Sequence, residues 1–132
     1  MIGDSLATAV MQRAMDGTWQ RGKSVSANIA NHETPGYKAV KVSFEDALKR
    51  ASERAALDMS VGGLDPQGLE TVKNSDIEVF QDNTFSERAD ASNVNLELEN
   101  IEMAKFQLQY SYLARQITDT FSRLRYAIRE GR

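Results

Sequence analysis

The side chains that carry most enzyme chemistry are scarce in this sequence. Among 132 residues there is one histidine, His32, and there is no cysteine. Neither a histidine-based metal cluster nor a Cys–His nucleophile pair can therefore form, and no phosphate-binding glycine loop or nucleophile elbow occurs. His32 follows the first predicted helix, where we interpret it as a helix-terminal residue rather than a general base.

Carboxylates and arginines are the remaining candidates for chemistry. Two acidic pairs belong to segments that we expect to face solvent, namely Glu45/Asp46 and Glu97/Glu99. An acidic triplet lacks the glycine and the bidentate glutamate of a calcium loop; it is Asp76, Glu78 and Asp82. Four arginines near the end could contact phosphate; they are Arg123, Arg125, Arg129 and Arg132. No extended basic patch with interleaved aromatic residues supports nucleic-acid binding. We predict no enzyme, no cofactor and no bound metal.

Charge and hydropathy argue against two further classes. The net charge is -3 and the isoelectric point is about 5.2, whereas a nucleic-acid binder needs a concentrated basic face. Mean hydropathy is -0.49, and no apolar run approaches the roughly 20 residues that cross a bilayer. Residues 1–12 lack a basic stretch, so we expect no cleavable signal peptide. From the charge and the hydropathy we expect no nucleic-acid partner and no direct bilayer insertion.

The charge divides the chain into three blocks. Residues 1–42 carry five basic and three acidic side chains, and residues 93–132 carry six basic and five acidic ones. Residues 43–92 carry five basic and eleven acidic side chains and contain the dipeptide Gly62-Gly63. Two near-neutral ends therefore flank an acidic middle.

The first block predicts an amphipathic helix. Its apolar seam has steps of three and four residues, as in a heptad pattern, and contains Met11, Met15, Thr18, Gly22, Val25 and Ile29. A second row beside the seam contains Leu6, Val10, Ala14 and Gly17. Each glycine weakens the helix by about 1 kcal/mol relative to alanine, but glycines also let another backbone approach closely. We interpret Trp19 as a packing residue.

A proline-glycine corner must end this helix by Glu33. Thr34 precedes Pro35, and a residue before proline is disfavoured in the helical conformation. Pro35 fixes its own φ, and Gly36 supplies the positive φ that a type II turn requires at its third position. Asn31 is a candidate for the left-handed residue that often ends a helix.

The middle block gives weaker signals. Ser43 can cap a short helix, with Asp46 at the capping-box distance. Residues 69–72 and 77–80 have some strand-like alternation, so we expect a small hairpin or irregular extension within residues 59–83.

The last block gives the strongest pattern. Asn93 or Asn95 can cap a helix that begins with glutamates and ends with arginines, an arrangement that complements the helix dipole. Its seam repeats about every 3.6 residues and contains Met103, Phe106, Tyr110, Leu113, Ile117, Phe121, Leu124 and Ile128. Flanking residues widen this face beyond what one antiparallel helix can cover, namely Ile101, Ala104, Leu108 and Tyr112. We therefore expect this helix to pack against other chains and both terminal helices to order fully on assembly.

These signals together predict a mainly α fold. We expect residues 1–33 and 93–132 to form long N- and C-terminal helices that pack as a coiled-coil-like pair and make up one core domain. Residues 34–92 form an outer segment with a turn, a short helix and a small irregular or β region.

The segment around the corner carries a resemblance. Residues 26–39 read SANIANHETPGYKA and match the pattern A-N-x-A-N-x-x-T-P-G-Y-[KR] at Asn28, Ala30, Asn31, Thr34, Pro35, Gly36 and Tyr37. The pattern resembles the N-terminal signature of bacterial flagellar rod and hook-type axial proteins. The stretches NVNLELE, from Asn93, and EMAKFQLQY, from Glu102, are similar to proximal-rod members of that family, among which FlgC is the second nearest. The short length agrees, because distal-rod and hook relatives carry large inserted middle domains.

One position departs from the family pattern. Proximal-rod members commonly read Asp-Gly-Asn before the valine, whereas this chain reads Asp90-Ala91-Ser92-Asn93-Val94. The missing glycine affects the turn that enters the last helix.

The resemblance implies a structural subunit of the flagellar basal-body rod. Such proteins polymerise helically, and their terminal helices form an inner tube that transmits torque and walls the export channel, while the corner directs the chain outwards. The assembly interface would comprise Met11, Met15, Val25, Ile29 and the seam from Met103 to Ile128. The implied neighbours are copies of itself, the adaptor FliE, the membrane-ring protein FliF and other rod proteins such as FlgC.

The resemblance also implies a location. Rod subunits are exported through the flagellar type III apparatus without a cleaved signal peptide and reside in the periplasmic space. The absence of cysteine suits an oxidising compartment, because it precludes wrong disulfides.

Overall fold

The computed structural model describes residues 2–62 and 66–131, and the side chains of residues 6–62 and 66–131. Gly63 and Arg132, both used in the sequence predictions, lie outside the described residues, as does Met1. The described elements are, in chain order, α1 (Ile2–Ala30), β1 (Val40–Ser43), α2 (Glu45–Gly62), α3 (Pro66–Lys73), β2 (Glu78–Gln81) and α4 (Leu96–Glu130). The prediction of a mainly α fold with long terminal helices is confirmed.

The terminal helices α1 and α4 pack side by side in opposite directions. Asn28, near the end of α1, bonds to Glu99, near the start of α4. Trp19, earlier in α1, contacts the rings of Phe106 and Tyr110, further along α4. Contacts that advance along α4 therefore move backwards along α1, as in an antiparallel pair.

One of the two asparagines predicted to cap α4 has that role. The side-chain oxygen of Asn95 accepts hydrogen bonds from the backbone amides of Glu97, at 3.1 Å, and Leu98, at 3.3 Å. These bonds satisfy amides that have no partner within the helix. Asn93 uses its side chain in the loop before α4 instead.

The buried apolar core lies between α1 and the outer segment. The buried cluster contains Ala9, Val42, Phe44, Leu48, Ala51, Ala55 and Val72. The second apolar row of α1 packs against this cluster through Leu6, Val10 and Ala14. Because α1 is apolar on two sides, one side faces α4 and the other builds a core with β1, α2 and α3.

The middle differs from the sequence prediction in its details. Residues 69–72, interpreted as strand-like, belong to α3, because an alternation of four residues is too short to separate a strand from a helical turn. Residues 77–80 do overlap β2. That strand pairs antiparallel with β1, with Val40 opposite Gln81, rather than in a local hairpin. The helix predicted after Ser43 extends over 18 residues.

No helix among residues 2–62 and 66–131 is both long enough and apolar enough to span a bilayer.

Candidate functional site

The proline-glycine corner has the hydrogen bond and the backbone conformation of the predicted type II turn. The amide of Tyr37 donates to the carbonyl of Thr34 at 3.2 Å, and Gly36 has a φ of 73°. A Cβ at position 36 would meet nothing within 4 Å, so the backbone conformation rather than space requires the glycine. The Gly36 amide also donates to the carbonyl of Asp90 at 2.6 Å, which ties the corner to the loop before α4.

Polar side chains close the end of α1, whose last residue is the exposed Ala30. Asn31 Nδ2 donates to the carbonyl of Ala27 at 2.8 Å, and Asn31 Oδ1 accepts from the Thr34 hydroxyl at 3.1 Å. The φ of Asn31 is not positive, so the prediction of a left-handed residue there is wrong. His32 Nδ1 lies 2.8 Å from a carbonyl oxygen of the last helical turn, in agreement with a helix-terminal residue.

Asn28 uses every hydrogen-bonding position of its side chain. It is 1% exposed. Its Nδ2 donates to the carbonyl of Val40 at 2.9 Å and to Glu99 Oε2 at 3.2 Å. Its Oδ1 accepts from the amide of Val40 at 2.8 Å and from the hydroxyl of Tyr37 at 3.4 Å. One amide thus joins α1 to the corner, to β1 and to α4, which explains an asparagine at this motif position. The sequence pattern identified the residue but gave no sign of these partners.

Asn93 joins the same region from the loop before α4. Its Oδ1 accepts from the amide of Ala39 at 2.8 Å, and its Nδ2 donates to the carbonyl of Asp82 at 2.6 Å. Its backbone amide donates to the carbonyl of Tyr37 at 3.3 Å. Two residues earlier, Ala91 has a φ of 62°. The chain therefore makes a left-handed turn at Ala91, although alanine is disfavoured in that conformation.

Glu99 is buried, so the prediction that it faces solvent is wrong. Only 9% of its surface is exposed. Burial raises the pKa of Glu99 above the ordinary glutamate value, and the nearby charge of Glu102 raises it further, while the Asn28 hydrogen bond and the Lys41 charge lower it. The sequence contained a signal for this position, because Glu99 lies four residues before Met103 and thus on the apolar seam.

The acidic pair at the start of α2 is exposed, and one of its members has a structural role. Arg21 donates from both terminal guanidinium nitrogens to the carboxylate of Glu45. The same guanidinium donates to the carbonyl of Val42 at 2.7 Å and lies 4.9 Å from the centre of the Phe44 ring. The hydrogen bond from Arg21 lowers the pKa of Glu45. This arginine therefore fixes the start of α2 against α1, while Asp46 is exposed.

The acidic triplet of the outer segment does not form a metal site. Within the described parts of the chain, no group of three or more potential metal ligands lies together. Asp82 accepts from the amide of Thr84 at 3.0 Å and lies 3.3 Å from Lys41 Nζ. The hydrogen bond from Thr84 makes the larger contribution to lowering the pKa of Asp82, and Lys41 lowers it further.

The residues of the two apolar seams differ in how far they are buried. On α1, Val25 is buried, and Met11, Met15 and Ile29 are half-buried. On α4, the half-buried seam residues are Met103, Phe106, Tyr110, Leu113, Ile117 and Leu124, whereas Phe121 and Ile128 are exposed.

The glycines of α1 admit aromatic rings. The ring of Phe44 lies against Gly17, and the ring of Phe106 lies against Gly22. We predicted that these glycines admit another backbone, and this prediction is wrong, because the rings take the space. Trp19 contacts the rings of Phe106 and Tyr110, in agreement with a packing residue.

Helix α4 buries none of its apolar side chains, although all of its residues are described. Glu99 is the one buried residue of this helix. An outer stripe of α4, on the side away from the seam, contains Ile101, Leu108 and Tyr112, and all three are exposed. Leu108 is 73% and Tyr112 is 62% exposed. The apolar surface that α1 cannot cover is therefore open to a further partner.

Two characterised relatives identify the class of protein. No protein-family profile matches the chain. It is 28% identical over 123 residues to the flagellar basal body rod protein FlgB of Bacillus subtilis (strain 168), with 92% of each chain covered. It is 31% identical over 104 residues to the FlgB of Buchnera aphidicola subsp. Acyrthosiphon pisum (strain APS), which covers 75% of this chain and 76% of the relative. Both relatives are flagellar basal body rod proteins, the class that the corner motif predicted. The chain belongs to the FlgB family of that class.

Proposed function

We propose that this chain polymerises helically through its terminal helices and forms the proximal part of the flagellar rod. In this role the polymer transmits torque as a drive shaft and its inner wall lines the export channel. Membership of the FlgB family supports a structural role in the basal-body rod. The observation that carries the proposal is the outer stripe of α4, which the chain leaves exposed.

Burial of the outer stripe would supply the free energy of assembly. Fully burying a leucine, isoleucine or aromatic side chain contributes about 1.5–3 kcal/mol. The stripe lies on the side away from the seam that faces α1, so a second chain can contact it without displacing α1. A contact between different surfaces of two copies extends into a helical polymer when the rotation between successive copies does not close into a ring. The seam residues of α1 and α4, from Met11 to Ile29 and from Met103 to Ile128, would then lie within or between subunits.

The corner motif is proposed to set the direction of the outer segment. The type II turn, the amide of Asn28 and the side chain of Asn93 fix how the chain leaves α1 and enters α4. Residues 1–33 and 93–132 would then form the axial domain of the polymer, and residues 34–92 would lie on its outside. The motif residues Asn28 to Tyr37 therefore have a positioning role in this proposal rather than a chemical one.

Family membership also supports a proposal on neighbours and location. We propose contacts with further copies, with the adaptor FliE, with the membrane-ring protein FliF and with FlgC. The assembled position would be the periplasmic rod, reached through the flagellar type III apparatus.

The proposal is tested by adding a charge to the outer stripe. Leu108→Asp should leave the monomer folded, because the side chain is exposed, and should abolish swimming in a strain that depends on this chain, because a charge cannot be buried unpaired. Gln107→Asp is the matched control. It adds the same charge one residue earlier and about 100° around the helix. Normal swimming of the Leu108→Asp strain would overturn the proposal.

A further inference from the structure

A cleft of about 550 Å³ lies between α1, β1 and the first turns of α4. Its walls combine apolar side chains, such as Val25 and Leu98, with the carboxylates of Asp82, Glu99 and Glu102. A cleft of this composition can hold the aliphatic part of a long side chain along its walls and a cationic group at its carboxylates.

The cations that line the cleft already have anionic partners. Arg21 pairs with Glu45, and Lys41 pairs with Asp82 at 3.3 Å. Glu99 forms no ion pair with any described residue, and its hydrogen bond comes from the neutral amide of Asn28. The buried carboxylate thus has no cation in direct contact. The charge of Lys41 acts on it from beyond ion-pair distance, and burial makes the largest contribution to its pKa.

The opposite end of α4 has the complementary charge. The second half of α4 carries exposed arginines that form no hydrogen bond or ion pair within the described chain; they are Arg115, Arg123, Arg125 and Arg129. The same part of the helix contains two acidic residues, Asp119 and Glu130, so positive charges outnumber negative ones there. The first turns contain three glutamates and one basic residue, Lys105. The helix is therefore acidic at its start and basic at its end.

The two ends cannot meet within one molecule. Glu99 and Arg123 are 24 residues apart in one continuous helix, which separates them by roughly 36 Å. A contact between the ends must therefore join two copies. Such a contact is heterologous, since it uses different surfaces of the two chains, and it can therefore repeat from copy to copy along a polymer.

We infer that the cleft beside Glu99 receives an arginine from the basic end of α4 of a second copy. A guanidinium suits this position because its planar donors can bind a carboxylate with two hydrogen bonds, and because it is less strongly hydrated than an ammonium group. The inference rests on the proposed polymerisation and specifies one contact by which a copy recognises the next. Asn28 has a second role in it, since its amide holds the Glu99 carboxylate at the edge of the cleft.

The test exchanges the charges at the two ends. The cleft variant carries Glu99→Gln and Glu102→Arg, and the tail variant carries Arg123→Glu, Arg125→Glu and Arg129→Glu. Each variant alone should reduce swimming about tenfold or more in a strain without the wild-type chain. Co-expression of both variants should restore swimming. The acidic tail of the tail variant then pairs with the basic cleft of the cleft variant, and the native basic tail of the cleft variant pairs with the native acidic cleft of the tail variant.

Controls separate this inference from the proposed function. Circular dichroism of each purified variant should match the wild type, which establishes that the ends rather than the fold have changed. If neither variant impairs swimming, or if co-expression fails to restore it, the inference is wrong while the outer-stripe test still decides the proposed function. If the tail variant alone swims normally and the cleft variant does not, the cleft receives a cation from another protein, and the inference is again overturned.

Discussion

Phe106 of α4 lies in the space that Gly22 leaves on the surface of α1. A Cβ at position 22 would fall 2.5 Å from Cε2 and 2.6 Å from Cζ of that ring, well inside the usual separation of carbon atoms. The glycine that weakens α1 as an isolated helix therefore allows α4 to pack against it. The same ring lies 6.3 Å, centre to centre, from that of Trp19.

Substitution of this glycine should destabilise the fold. We expect Gly22→Ala to lower the free energy of unfolding by about 1–3 kcal/mol through overpacking, net of the roughly 1 kcal/mol that alanine gains in helix propensity. Urea unfolding measures this change. Gly62→Ala is the control, since a Cβ at that end of α2 meets no atom of the described residues within 4 Å, and it should be neutral or slightly stabilising. Wild-type stability of the Gly22→Ala chain would contradict the close ring contact.

Removal of the Asn28 side chain should have a larger effect. Asn28→Ala deletes four hydrogen bonds in a buried position, and at about 1 kcal/mol net for each bond it should lower the free energy of unfolding by about 2–4 kcal/mol. Asn100→Ala makes the same change at an exposed site of α4. It should alter stability by less than about 0.5 kcal/mol. Similar values for the two variants would show that the Asn28 amide does not join the three elements.

Substitution of Ala91 by glycine should stabilise the chain. Ala91 has a φ of 62°, a conformation that disfavours alanine by about 1–2 kcal/mol. Ala91→Gly should therefore raise Tm by roughly 3–5 °C, despite the greater flexibility of glycine in the unfolded chain. Ala89→Gly in the same loop, where φ is not positive, should leave Tm unchanged or lower it. A lower Tm for Ala91→Gly would refute the strained turn.

The buried Glu99 should make stability depend on pH in a defined direction. Because burial raises its pKa in the folded chain, the folded state holds the proton more tightly than the unfolded state does. The free energy of unfolding should therefore fall as pH rises from the unfolded value near 4.5 through the raised folded value. Below that range the carboxyl is protonated in both states and the loss is absent.

Glu99→Gln should remove this decline and leave the isolated chain more stable than the wild type at neutral pH. Urea unfolding at a series of pH values tests the expectation, and the two chains should converge in acid. Glu53→Gln, at an exposed position of α2, should retain the wild-type decline. An identical pH profile for Glu99→Gln and wild type would show that the buried carboxyl makes no contribution.

The terminal helices and the corner were predictable because local rules determine them. The seam of α4 repeats with the helical period over 25 residues, and Asn95 satisfies the first free amides of the helix. The turn follows from Pro35 and Gly36, whose backbone preferences hold in any context.

The remaining features depend on partners that are distant in sequence. Strand β1 has four residues, and its partner Gln81 lies far along the chain from Val40, so no local pattern indicates the pairing. Glu99 was interpreted as a solvent-facing charge of the first helical turn, although its place on the seam indicated burial. The motif identified Asn28 by resemblance. Its hydrogen bonds could not be predicted, because one partner, Glu99, is 71 residues away in the sequence.

The pairing of β1 with β2 has a consequence for the growth of this architecture. Val40 lies opposite Gln81 and Ser43 opposite Glu78, so the chain departs for α2 and comes back after α3 across one strand spacing of about 4.8 Å. The pairing therefore fixes the distance between the point where the chain leaves for α2 and the point where it returns from α3. Residues inserted at an exposed position between β1 and β2 would enlarge that segment without changing the distance between the two terminal helices. The length of the segment between β1 and β2 and the packing of α1 against α4 can therefore change independently.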